Sequence, residues 1–153
     1  YETDKYDLMA DWTYTGWDKI QALTIKRADA AQTVVSSVPL NFENTWRVGL
    51  GGNYQASEKF KLRLGLAYDK APVLDEFRTP RLPDTDRTWA AAGFEYKLGE
   101  KSAIDVGYAH LFIGEASSNL PNQDSASSPP KGKLIGSYDA KVDILSAQVR
   151  FSF

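Results

Sequence analysis

The chain has 153 residues, a formal charge of −2 and no cysteine. One domain fits this length, whereas a disulfide framework or a thiolate metal site does not. So small a charge gives no whole-chain argument for nucleic acid, and no apolar run approaches the ~20 residues of a membrane-spanning helix.

The first residues, Tyr1-Glu2-Thr3-Asp4-Lys5, are too polar for a signal peptide, so an exported protein would stand here in mature or truncated form. Tyr6, Leu8, Ala10, Trp12 and Tyr14 then alternate with Asp7, Met9, Asp11 and Thr13. Period two predicts a strand with one apolar and one polar face, at roughly the ~9–11 residues of a tilted barrel strand. After a break at Thr15-Gly16, the blurred alternation from Trp17 to Ile25 predicts a second strand. Residues 27–44 read as a long loop with an extended piece at Thr33-Val34-Val35.

The next pair is the clearest. Trp46, Val48, Leu50, Gly52 and Tyr54 form one apolar face. Past the polar turn 55–59, Phe60, Leu62, Leu64, Leu66 and Tyr68 form another. A hairpin placing Tyr54 opposite Phe60, Leu50 opposite Leu64 and Trp46 opposite Tyr68 would set aromatics at both ends and aliphatics between, the layout of a barrel's lipid face. On the other face that register sets Gly51 against Arg63, leaving room for the arginine to lie across the sheet.

A second long loop, 70–86, holds Pro72, Pro80 and Pro83. Strands follow over Trp89–Leu98 and, past the turn 99–102, over Ile104–Phe112. A third long loop spans 114–137. In the closing segment Leu145, Ala147, Val149, Phe151 and Phe153 alternate with Ser146, Gln148, Arg150 and Ser152. A last strand ending on an aromatic is expected of an outer-membrane β-barrel, as is the alternation of short turns with long loops. The negative mean hydropathy does not oppose this, since barrel strands are half polar. About seven strands are expected, too few to close a barrel with an even number of at least 8. The chain therefore reads as part of a larger all-β transmembrane barrel, or as one with a strand overlooked.

Four segments carry a resemblance: Tyr14-Thr15-Gly16-Trp17, Trp46-Arg47-Val48-Gly49-Leu50-Gly51, Asp69-Lys70-Ala71-Pro72-Val73 and Leu82-Pro83-Asp84-Thr85-Asp86-Arg87-Thr88-Trp89. In this order they resemble the C-terminal half of the FadL-type (OMPP1/FadL/TodX) long-chain fatty acid transporter family. Ala71 stands where that family commonly has serine. The resemblance implies a fourteen-stranded barrel plugged by an N-terminal hatch, in the outer membrane of a Gram-negative bacterium. It implies passive inward transfer of long-chain fatty acids or, in some relatives, aromatic hydrocarbons. This chain would supply strands eight to fourteen of one barrel domain over 1–153, with outer-membrane lipid and the N-terminal half of the same barrel as partners.

Lys26, Arg47, Arg63 and Arg87 are cations that could meet a fatty acid carboxylate, and Arg suits bidentate contact. The plainer reading pairs lumen arginines with carboxylates such as Glu95 or Asp105. Trp89 reads as a ligand wall or as hatch packing. Asp84, Asp86 and Arg87 could steer a ligand or ion, although Pro83-Asp84 is an ordinary turn start and Pro72 and Pro83 organise the loop. Tyr6, Trp12, Tyr14, Tyr54, Phe60, Tyr68, Tyr96, Tyr108, Phe151 and Phe153 read as membrane-girdle anchors. His110, the only histidine, lacks companions for catalysis or metal binding. No nucleophile elbow, P-loop or histidine-rich motif is present, so neither an enzyme nor a cofactor is expected. Rival readings are a general porin and a soluble β-sandwich or lipocalin-like binder.

Overall fold

The computed structural model describes residues 1–28, 31–120 and 132–152. Its strands are β1 Tyr6–Thr15, β2 Ala22–Lys26, β3 Val34–Pro39, β4 Thr45–Gln55, β5 Phe60–Asp69, β6 Arg87–Gly99, β7 Ser102–Ile113, β8 Ala116–Leu120, β9 Leu134–Tyr138 and β10 Lys141–Phe151. Phe153, expected as the terminal anchor, lies outside the described residues, as does the low-complexity stretch 125–130.

Six strands form one antiparallel sheet in the order β1-β4-β5-β6-β7-β10. They are 10 to 13 residues long, enough for tilted strands to cross a bilayer. The strand expected over Trp17–Ile25 is not among them. Trp17–Lys19 is a single 3-10 turn, and β2 pairs only with β3 in a separate hairpin. The reason is length. The five residues of β2 cannot match the ten-residue ladder that β1 makes with β4 from Tyr6↔Tyr54 to Thr15↔Thr45. Residues 16–44 are thus one excursion, held at its base by the Asn44 side chain on the Asp18 N–H (3.0 Å) and by Trp17 edge-on to Phe42. The alternation of long and short connections survives this change: β1, β5 and β7 run into long connections at one rim, and the short turns 56–59 and 100–101 lie at the other.

The β4–β5 register is two residues from the expected one. Tyr54 faces Leu62, Leu50 faces Leu66 and Val48 faces Tyr68. The turn is tighter than the sequence suggested. Ser57 and Phe60 exchange hydrogen bonds around Glu58-Lys59, and Ala56 N–H also donates to Phe60 O. Two residues on one strand therefore oppose one on the other, a β-bulge. A shift of two preserves the faces. Trp46 and Tyr68 still touch, with ring centroids 5.1 Å apart.

One face of the sheet carries the aliphatics and most of the predicted anchors. Leu50, Leu64 and Leu145 are 62%, 68% and 79% exposed, so no part of the described chain covers this face. Contiguous apolar surface of that extent marks contact with a membrane or partner. The buried residues lie elsewhere. Phe42, Ala71, Val73, Ala116, Leu120, Arg78 and Ser118 are in or beside the long connections. Leu111, on the opposite face from the exposed Phe112 and beside Trp89 in the register, is also buried.

Candidate functional site

Strand pairing sorts the polar face into three layers. Nearest the long connections run Arg47, Asp69 and Arg87, direct neighbours across β4, β5 and β6. Arg47 pairs with Asp11 at 3.6 Å; Arg87 meets Asp69 through Nε and Asp84 through Nη1, each at 3.2 Å. Trp89 sits just below, between Ala67 and Leu111. Its buried Nε1 has no hydrogen-bond partner among the described residues. Lys26 is elsewhere, on the β2–β3 hairpin.

The middle layer is nearly bare. Gly51, Gly65, Ala91, Ala109 and Ile144 are successive neighbours across five strands, followed by Arg63, Gly93, Gly107 and Ser146. Small residues here leave an open cavity of about 740 Å³ whose lining includes Gly65, Ala91, Gly93, Gly107, Ala109 and Ile144. Between the level of Gly93 and that of Arg87, six residues of strand span about 20 Å.

The third layer closes the lower end. Arg63 directs Nη1 to Asp105 (2.8 Å) and Nη2 to Glu95 (2.7 Å). Arg150 directs Nε to Asp105 (2.8 Å) and Nη2 to Glu95 (2.5 Å). Two cations and two anions alternate in a square that ties β5, β6, β7 and β10. Pairing of Arg63 with Glu95 or Asp105 follows the plainer sequence reading. Its glycine neighbour is Gly93 instead of the expected Gly51, and the arginine lies across β6 at that point. Arg150 was not singled out by sequence. Its phase put it on this face, but the partnership of β7 with β10 crosses a long excursion.

The loop motif is joined to the strand ends by hydrogen bonds and ion pairs. Asp86 accepts the Ala71 N–H at 2.9 Å and the Tyr68 hydroxyl at 2.5 Å, anchoring the segment just before Pro72 to the strand end. Asp86→Ala would leave the buried Ala71 amide unpaired at a cost of about 2 kcal/mol. The expected readout is roughly thirtyfold faster hydrogen exchange at that amide with ligand uptake little changed. Arg78, also unremarked in the sequence, is the loop's buried hub. Its Nε donates to Asp84 O and its Nη2 to Val73 O, while Nη1 reaches Asp75 and Ser117 O.

Of the predicted anchors, Trp12, Tyr14 and Tyr68 stand toward the long connections, and Tyr54, Phe60, Tyr96 and Phe151 toward the short turns. Tyr108 is in mid-strand, its hydroxyl on Asp143 (2.5 Å), which also meets His110 Nδ1 at 2.7 Å.

The model of a family described as outer membrane protein transport protein (OMPP1/FadL/TodX) matches residues 2–153. An outer membrane protein of Neisseria meningitidis serogroup B is 32% identical over 160 residues, covering 99% of this chain and 34% of its own. A long-chain fatty acid transport protein of Escherichia coli O6:H1 is 36% identical over 98 residues, 64% of this chain and 22% of its own. The crystal structure of a Pseudomonas aeruginosa FadL homologue superposes with a TM-score of 0.87 at 31% identity, covering 97% of this chain and 33% of that one. The chain thus spans about a third of the length of these first two full-cover matches.

Proposed function

The chain belongs to the outer membrane protein transport family (OMPP1/FadL/TodX), and from that premise we propose that it forms part of the wall of a barrel passing long-chain fatty acids or similar hydrophobic molecules. The family is one of transporters. The apolar face of the six-stranded sheet meets lipid, the rim from which β1, β5 and β7 lead into long connections faces outward, and the polar face lines the lumen. Edges β1 and β10 pair with strands supplied by the rest of the same barrel, because a hydrocarbon environment does not tolerate open sheet edges.

The observation that carries the reading is the cavity over Gly65, Ala91, Gly93, Gly107 and Ala109. A lumen lined by glycine and alanine between two paired-charge layers lets an apolar chain lie along the wall, while the flanking ion pairs keep the charged side chains out of its way. Ligand sites are predominantly apolar with few polar groups placed at their ends. In the full-length protein, Ala91→Phe with Ala109→Phe is expected to lower uptake of labelled palmitate several-fold at unchanged outer-membrane abundance. Unchanged palmitate uptake in cells lacking the protein would remove the fatty acid assignment.

A further inference from the structure

The square of Arg63, Glu95, Arg150 and Asp105 raises the question of why two arginines beside an apolar track are fully paired. The guanidinium side chains are 42% and 49% exposed and line the cavity, whereas the carboxylates behind them are only 10% and 15% exposed. Each guanidinium has five N–H donors, of which the square engages two. Three on each remain for another acceptor. Within the square the charges balance: two cations against two anions. Lys61, the cross-strand neighbour of Glu95, and Lys97 share the face without lining this cavity, and neither makes an ion pair with the square among the described residues.

A conduit must bind its cargo well enough to admit it and weakly enough to release it. Two uncompensated arginines would grip a carboxylate in bidentate fashion. Resting on the transport reading above, we infer that Glu95 and Asp105 are release-determining residues: they hold Arg63 and Arg150 neutralised, so that a carboxylate ligand is guided by hydrogen bonds at this point without being trapped by net charge. The inference assigns the carboxylates a role toward the ligand's head, and it makes no demand on the tail.

The test compares palmitate with hexadecane, which shares the tail and lacks the head, using the full-length protein. Glu95→Gln with Asp105→Asn is expected to raise palmitate affinity about tenfold, slow its release and lower its uptake, leaving hexadecane binding unchanged. Arg63→Gln with Glu95→Gln removes one charge of each sign together with one donor fork, and is expected to give no gain in palmitate affinity, since balance is retained. If the first double variant does not assemble, Asp105→Asn alone is expected to give a gain of about threefold. No gain for palmitate, an equal gain for hexadecane, or the same gain in the charge-balanced variant overturns the inference while leaving transport standing. A wild type that binds neither probe overturns the transport reading, and this inference with it.

Discussion

Replacing Arg78 with methionine is expected to open the outer connections while the six-stranded sheet stays folded. The arginine is 3% exposed. It donates to the backbone carbonyls of Asp84 (2.8 Å), Val73 (3.2 Å) and Ser117, besides its ion pair with Asp75. Its own carbonyl accepts from the buried Ser118 hydroxyl at 2.6 Å. One side chain thus joins two stretches, 73–84 and the start of β8, that are distant in sequence. Methionine fills similar length but donates nothing, so three carbonyls and a carboxylate lose their partner together. Each unsatisfied buried group costs about 1–3 kcal/mol. Asp75 is well exposed and adds little, and partial entry of water limits the sum over the three carbonyls to about 3–5 kcal/mol. External protease should then cut within these connections more than about a hundredfold faster, because cleavage follows the population of the open form. The membrane-embedded strands should resist as before. Lysine at 78 should recover only part of the protection, having no planar fork to reach several acceptors. An unchanged cleavage pattern would show that the hairpin β8–β9 is held by something else.

How legible this arrangement was in the sequence depends on which interactions leave a periodic trace. All six strands of the main sheet follow from alternation, because each needs one face apolar for lipid and carries polar or small residues on the other. The β2–β3 hairpin was blurred for the complementary reason: outside the membrane no such segregation is required, and Leu23, Ile25, Val34 and Val35 are exposed. The β4–β5 register depended on a bulge at Ala56-Ser57, a backbone feature with no side-chain signature. Arg78 was invisible because most of its acceptors are main-chain carbonyls, and an arginine in a proline-bearing loop looks like any solvated charge. Arg63, Glu95 and Asp105 could be placed on one face by parity alone. Their closure with Arg150 required knowing that β10 returns beside β7. The Pro83–Trp89 motif was recognisable as a family pattern, yet only the geometry shows Asp86 and Arg87 tying the loop to the strand ends.

Gly93→Val is the second change expected to have a large effect, and it tests the lower layer from the backbone upward. Gly93 faces Arg63 on one side and Gly107 on the other. A Cβ built there would lie 2.8 Å from Val106 O and 3.3 Å from Gly107 Cα. Both neighbours are backbone, so relief requires moving β7 relative to β6 instead of rotating a side chain. Valine also places two methyl groups in the space that the Arg63 side chain crosses to reach Asp105. Overpacking alone costs about 1–3 kcal/mol. With the cross-strand square pulled apart as well, the loss should reach about 3 kcal/mol or more, since a network fails as a unit. The expected outcome is a lower urea midpoint for unfolding from lipid bilayers and less folded protein in the outer membrane. Gly65 provides the control on the same face. A Cβ there meets only Leu50 O at 3.8 Å and Ala91 Cβ at 3.9 Å, which is ordinary contact. Gly65→Ala should be neutral or slightly stabilising, as alanine loses less backbone entropy on folding than glycine. If the two glycines responded alike, backbone approach at β6–β7 would not be what requires glycine at 93, and the route of Arg63 across β6 would lose its structural basis.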